Sequence, residues 1–172
     1  MTADQFWKLI ESTRPKKNPD QHVDKLIETL AAGGEARVLD FFRWWFDFHG
    51  AAYRWGLWGA AYIMNGGCSD DGFTDFRSWL LLQGKAVYEA AMKDPESLAG
   101  LDVPMDEASW ECYPGPTAYE KATGKDADSF YAALEAKHGP LPKERELGED
   151  WDFDDPDEMS RRYPRLTEKY AE

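Results

Sequence analysis

The 172-residue sequence predicts an all-α fold, a compact helical bundle around aromatic central helices with a proline-broken, partly irregular C-terminal layer. Three observations predict it. Apolar residues recur at three- and four-residue intervals as far as about residue 93, capping and stop residues fall where helix ends require them, and no two alternating apolar-polar runs face each other across a turn signal.

The first helix starts at Thr2, whose hydroxyl can cap it while Gln5 completes a capping box, and it ends before Pro15. Phe6, Leu9 and Ile10 form its buried stripe. A second opens with Asn18 as cap and Pro19 at its first position, carries Val23, Leu26, Ile27 and Leu30, and stops at Gly33-Gly34. From Glu35 to His49 the sequence is apolar nearly all round, with only Asp40, Arg43 and Asp47 forming a polar stripe, as a mostly buried helix requires. After Gly50 a fourth helix runs to about Met64, with Trp55, Trp58 and Tyr62 on one side and Gly56 and Gly59 giving room for close packing. Asn65-Gly66-Gly67 ends it. Ser69 then caps a helix whose core face is Phe73, Phe76, Leu80, Val87 and Ala91, with Asp70 and Asp71 in the first turn, where negative charge complements the exposed amides.

Beyond Pro95, seven further prolines from Pro104 to Pro164 divide the chain into short pieces. Helices are expected near 116–123 and 126–138, and a charged last helix from 157 onward. The organisation expected is one helical domain over 1–140 and an acidic extension over 141–172 that packs on it or trails from it.

Composition narrows the function classes. The chain holds 20 Lys and Arg against 33 Asp and Glu, a formal charge of −13, which repels nucleic-acid phosphates and anionic lipids and favours basic partners. Cys68 and Cys112 belong to no CxxC or Cys/His cluster, so neither a disulfide framework nor a zinc site is expected; no metal and no cofactor is predicted. The charge makes nucleic acid an unexpected partner, no apolar run approaches the roughly 18 residues that span a bilayer, so a membrane is not expected either, and the cytoplasm is the expected location. Oligomeric state is not encoded in any pattern found.

The densest run of special residues is NGGCSDDGF, positions 65–73. Its residue types suit a ligand site built from helix N-terminal amides and the Asp70 and Asp71 carboxylates, and equally suit the end of one helix and the start of the next. Arg77, Asp75 and Ser78 lie near Asp71 on one helical face, as a cation or acid-base site would need or as a surface ion pair would supply. His49 ends the aromatic helix and could act as a general base if a carboxylate or serine meets it. Cys68 precedes a helix N-terminus, where a thiolate would be stabilised, or is a small buried side chain. Trp55 and Trp58 could edge an aromatic pocket with Arg54, though tryptophans at helical spacing also serve as core. Asp150, Asp152 and Asp154 alternate as in a calcium loop, but Asp155 stands where that loop needs glycine and Arg161 where it needs glutamate. A solvated acidic arm, docking on a basic partner through Trp151 and Phe153 flanked by Asp152 and Asp154, fits that segment better.

The stretch from Phe6-Trp7 through Tyr53-Arg54-Trp55-Gly56-Leu57-Trp58 to NGGCSDDGFTDFRSWLLLQGKAVYEAA resembles the bacterial family catalogued as domain of unknown function 4240. The GGCSDDGFTDFRSWL block carries the resemblance most specifically. It implies a shared fold and functional surface over roughly residues 4–130 but no reaction, and catalytic residues stay unassigned. The expectation is a non-enzymatic binding protein that engages a basic protein partner, as an inhibitor, immunity-type protein or adaptor does. The alternative is a small enzyme or ligand-binding domain with its site at the Gly66–Phe73 turn, drawing on Asp70, Asp71, Arg77, Arg54 and His49.

Overall fold

The structure is a computed structural model describing residues 1–15, 21–111, 114–143, 147–148, 150–170. Among these it is all-α: ten α-helices and one 3-10 helix, with no strand. No helix among them is long and apolar enough to cross a membrane. The chain folds into two compact units, one of residues 1–50 and 112–143, the other of 51–111 and 144–172.

The first unit contains α1 (Ala3–Thr13), α2 (Gln21–Ala32), most of α3 (Glu35–Ala51), α7 (Pro114–Thr123) and α8 (Ala127–His138). Helix α1 begins with the expected capping box: Thr2 Oγ1 accepts from the Gln5 amide at 3.3 Å and Gln5 Oε1 from the Thr2 amide at 2.8 Å. The cap expected of Asn18 and Pro19 lies outside the described residues. Phe6, Ile10, Leu26, Leu30, Val38 and Phe41 are fully buried. The core is chiefly aromatic, with Phe6 against Phe41 at 4.6 Å and Phe42 edge-on to Phe130 at 5.5 Å. The polar stripe of α3 serves as a latch for the end of α8. Asp40 accepts from Lys137 at 2.8 Å, and Arg43 donates to the carbonyls of His138 and Pro140 at 3.3 and 3.1 Å.

The second unit contains α4 (Trp55–Met64), α5 (Asp70–Leu82), α6 (Lys85–Lys93), the 3-10 helix Pro95–Gly100, α9 (Pro156–Arg162) and α10 (Pro164–Lys169). Two expectations change here. The single helix expected through Phe73 and Ala91 is two, because Gly84 adopts a φ of +89° that only glycine takes readily. The charged last helix is also two, since Pro164 cannot continue α9 and instead supplies the first position of α10. Gly59 allows a close approach: a Cβ there would lie 2.4 Å from the Tyr163 hydroxyl, which donates to the Gly56 carbonyl at 2.9 Å. Glu96, 8% exposed, accepts from the Arg165 and Leu166 amides at 2.8 and 3.0 Å, and so caps α10 from about seventy residues away in sequence.

Candidate functional site

The NGGCSDDGF segment joins α4 to α5 within the second unit, and its glycines follow from the backbone. Gly67 N–H bonds to the Tyr62 carbonyl at 2.8 Å and Gly66 N–H to that of Ile63 at 3.4 Å, with Gly66 at φ +63°. This is the Schellman ending of a helix. Ser69 Oγ then accepts from the Gly72 amide at 3.2 Å and caps α5. Asn65 pins the following loop reciprocally, its Nδ2 donating to the Ala108 carbonyl at 3.2 Å and its Oδ1 accepting from the Ala108 amide at 3.1 Å. Trp58 Nε1 donates to the Cys68 carbonyl at 3.0 Å. Asn65, Gly66, Gly67, Ser69 and Gly72 are therefore committed to holding the turn.

Asp70 and Asp71 are not. Both are exposed, and their carboxylates make neither a hydrogen bond nor an ion pair with any described residue. Asp75 is half-buried on the next turn of α5, and the Trp110 amide bonds to its carbonyl at 3.2 Å, which brings Glu111 near. Burial, then the Glu111 charge, then that of Asp71 push the Asp75 carboxyl above the ordinary carboxylate range. Ser78, expected beside these carboxylates, is buried and donates to the Thr74 carbonyl at 3.3 Å.

Arg77 is 3% exposed and pairs with neither Asp71 nor Asp75. Its guanidinium lies 4.8 Å from the Tyr53 ring centre and 5.1 Å from that of Phe73, while Nε donates to the Phe73 carbonyl and a terminal nitrogen to Thr74 Oγ1. Arg54 is exposed at the cap of α4, where its Nε donates to the Ala51 carbonyl at 3.0 Å. His49 is half-buried near the end of α3 and belongs to the first unit, whereas the other predicted site residues belong to the second.

Cys68 does not take up the thiolate reading. Burial pushes its thiol up to about 12, and the charges of Asp75 and Asp70 act in the same direction, outweighing the helix N-terminus.

An aromatic stack runs from the turn to the C-terminal arm. Trp58 stacks on Phe73 at 4.7 Å and on Trp55 at 5.2 Å. Phe153 packs on Tyr62, Trp55 and Trp58 at 5.4, 5.7 and 6.4 Å, and Trp151 contacts Phe153 at 5.7 Å. The Arg162 guanidinium covers the Trp151 ring at 4.1 Å. Trp55 Nε1 donates to the Gly148 carbonyl, and Asp154 accepts from the Tyr62 hydroxyl. The rings expected to be partner anchors thus hold the arm on α4, with Asp152 and Asp154 exposed beside them. Sequence reading passed over Tyr53 and Glu111. Nothing local signals either, since both reach the site through contacts formed by the fold.

No curated protein and no solved structure matches the chain. The family model described as "Protein of unknown function (DUF4240)" matches residues 1–122, which takes in α1 to α6, the turn and the Asp75–Glu111 pair. With more than half its length matched, the chain belongs to the DUF4240 family.

Proposed function

We propose that the protein is a non-enzymatic binding protein whose second unit engages a basic protein partner. The distribution of charge carries this reading. The second unit holds 21 Asp and Glu against 9 Lys and Arg, while the first holds 12 against 11, so nearly all of the −13 belongs to the second. Charge of one sign on one body steers an oppositely charged partner and sets the salt dependence of association.

Several carboxylates around the turn also lack internal use. Asp70, Asp71, Asp75 and Glu111 form no ion pair with any described residue, and Asp75 sits among like charges that a partner's lysine or arginine would relieve. The aromatic rings of the arm support the surface from beneath, so the contacting groups are carboxylates such as Asp152 rather than Trp151 or Phe153. For the alternative, an enzyme at the Gly66–Phe73 turn, the hydrogen bonds that occupy the turn leave only two exposed carboxylates, which is a weak catalytic set.

The test compares the wild-type protein with an Asp70→Asn, Asp71→Asn, Asp75→Asn triple variant by affinity capture, followed by titration of the captured protein at several ionic strengths. Expected is a basic partner whose affinity falls with salt and drops by about tenfold or more in the triple variant. Capture of no basic protein, or equal affinity for wild type and variant, overturns the proposal.

A further inference from the structure

The first unit holds a cleft of about 580 Å³, formed by α1 on one side and the α2–α3 turn with the start of α3 on the other. That volume is in the range of small-molecule sites. Its walls combine the apolar Leu9 and Ala36 with Gln5 and Ser12, and its charged groups are Lys8, Arg37, Asp40 and the Met1 amine.

The charges are not equivalent. Asp40 is already neutralised: its Oδ2 accepts from the Met1 amine at 2.9 Å and its Oδ1 from Lys137 at 2.8 Å, with His138 Nε2 3.1 Å away. Burial works against the Asp40 charge, and the Lys137 and Met1 ammonium groups more than offset it, holding its carboxyl below the ordinary range. Among the described residues Lys8 and Arg37 have no such partner. Elsewhere in this unit Lys121 pairs with Glu28, Lys125 with Glu35 and Arg43 with Asp47, whereas Lys8 and Arg37 form no ion pair with any described residue. Both are exposed at the cleft. The cleft is therefore locally positive within a unit that is near neutral.

Gly33 adds a second, independent observation. Gly34 has a φ of +79° and needs glycine for the turn, but Gly33 carries no such conformation. Its missing side chain is occupied instead by Arg37: a Cβ on Gly33 would lie 2.1 Å from Arg37 Cδ and 3.1 Å from its Cγ and Nε. The arginine stem lies across the glycine, which seats the guanidinium at the cleft wall.

We infer that this cleft binds a small oxyanion, a phosphate- or carboxylate-bearing metabolite, held by Arg37 and Lys8, with its apolar part against Leu9 and Ala36. A guanidinium fork matches both head groups bidentately, and the lysine adds a point charge. The inference concerns the first unit and stands apart from the partner surface of the second.

Isothermal titration with AMP and with citrate, as phosphate and carboxylate probes, tests it on the full chain at low and moderate salt. Expected is saturable binding of at least one probe; which one binds identifies the head group. Arg37→Ala and Lys8→Ala should each weaken that binding by about tenfold, and Gly33→Ala should weaken it by displacing Arg37. All three positions are exposed, and unchanged circular dichroism and thermal midpoints identify the variants as folded. Absence of binding by both probes, or wild-type affinity in Arg37→Ala and Lys8→Ala, overturns the inference. Failure here leaves the basic-partner reading untouched, because the charges tested there lie in the other unit.

Discussion

Glu96 is a buried carboxylate that accepts chiefly from backbone amides, and removing it should unfasten the last helix. Leu166 N–H is buried and bonds to one carboxylate oxygen at 3.0 Å; Arg165 N–H bonds to the other at 2.8 Å, with Arg165 Nε at 3.4 Å. Helix α10 has six residues, so these two amides are a large share of its orphan donors. In Glu96→Ala the Leu166 amide loses a charge-assisted bond in a dry site, at about 2 kcal/mol, and the more accessible Arg165 amide about 1 kcal/mol. The loss is then about 3 kcal/mol. Glu96→Gln retains one acceptor oxygen and turns an NH₂ toward the other amide, for a loss of about 1.5–2 kcal/mol. At this chain length each kcal/mol shifts the thermal midpoint by about 2–4 °C, so the alanine variant should melt about 6–12 °C lower. Arg165→Ala is the control: its Nη2 contact to Asp94 and its Nε contact to Glu96 are made by a side chain 57% exposed, and the cost should be under about 1 kcal/mol. Urea unfolding followed by tryptophan fluorescence gives the free energies, and hydrogen exchange should find the Arg165 and Leu166 amides deprotected in Glu96→Ala. A loss within about 0.5 kcal/mol of zero, with those amides still protected, would refute the reasoning.

Three further outcomes follow from single contacts. His22 is buried with Nε2 2.9 Å from the Ile10 carbonyl, and burial holds its pKa below 6.5. The unfolded chain therefore takes up the proton first as pH falls, so stability is full above about pH 6.5 and declines below it toward the folded value; His22→Gln should flatten that part of a urea-midpoint profile measured from pH 7.5 to pH 5. Gly59→Ala should cost about 1–3 kcal/mol through the Tyr163 hydroxyl 2.4 Å from the added carbon, and much less in a Tyr163→Leu background, as a double-mutant cycle by urea unfolding would measure. With its thiol pushed up to about 12, Cys68 in a Cys112→Ser background should alkylate with iodoacetamide orders of magnitude more slowly when folded than in urea; equal rates would return it to the list of nucleophiles.

What the sequence disclosed was local. The Thr2–Gln5 capping box, the Gly66-Gly67 ending and the Ser69 cap each depend on residues within a turn of one another, and all three form as read. The break at Gly84 was missed because apolar spacing continues across it, and periodicity does not register one residue with φ +89°. The association of Asp75 with Glu111 was equally invisible, since it depends on a bond from the Trp110 amide formed only by folding. Trp151 and Phe153 posed a different difficulty: composition cannot distinguish a ring that packs on its own α4 from one kept for another protein.

Charge gives the strongest case for reading residues by the body they fold into. As a property of the whole chain, −13 argues against anion binding anywhere on it. Divided by unit, the same residues leave the first nearly balanced, and there the acid of the cleft, Asp40, is held by the Met1 amine and Lys137 while Lys8 and Arg37 pair with no carboxylate among the described residues. The Gly33-Gly34 pair separates along the same line. Read as sequence, both glycines end a helix. In the fold Gly34 makes the turn, and Gly33 makes room for Arg37, so substitution at 33 should be felt at the cleft more than in the stability of α2. An arginine that lies across a glycine and pairs with no carboxylate among the described residues is an arrangement that helix capping alone does not require.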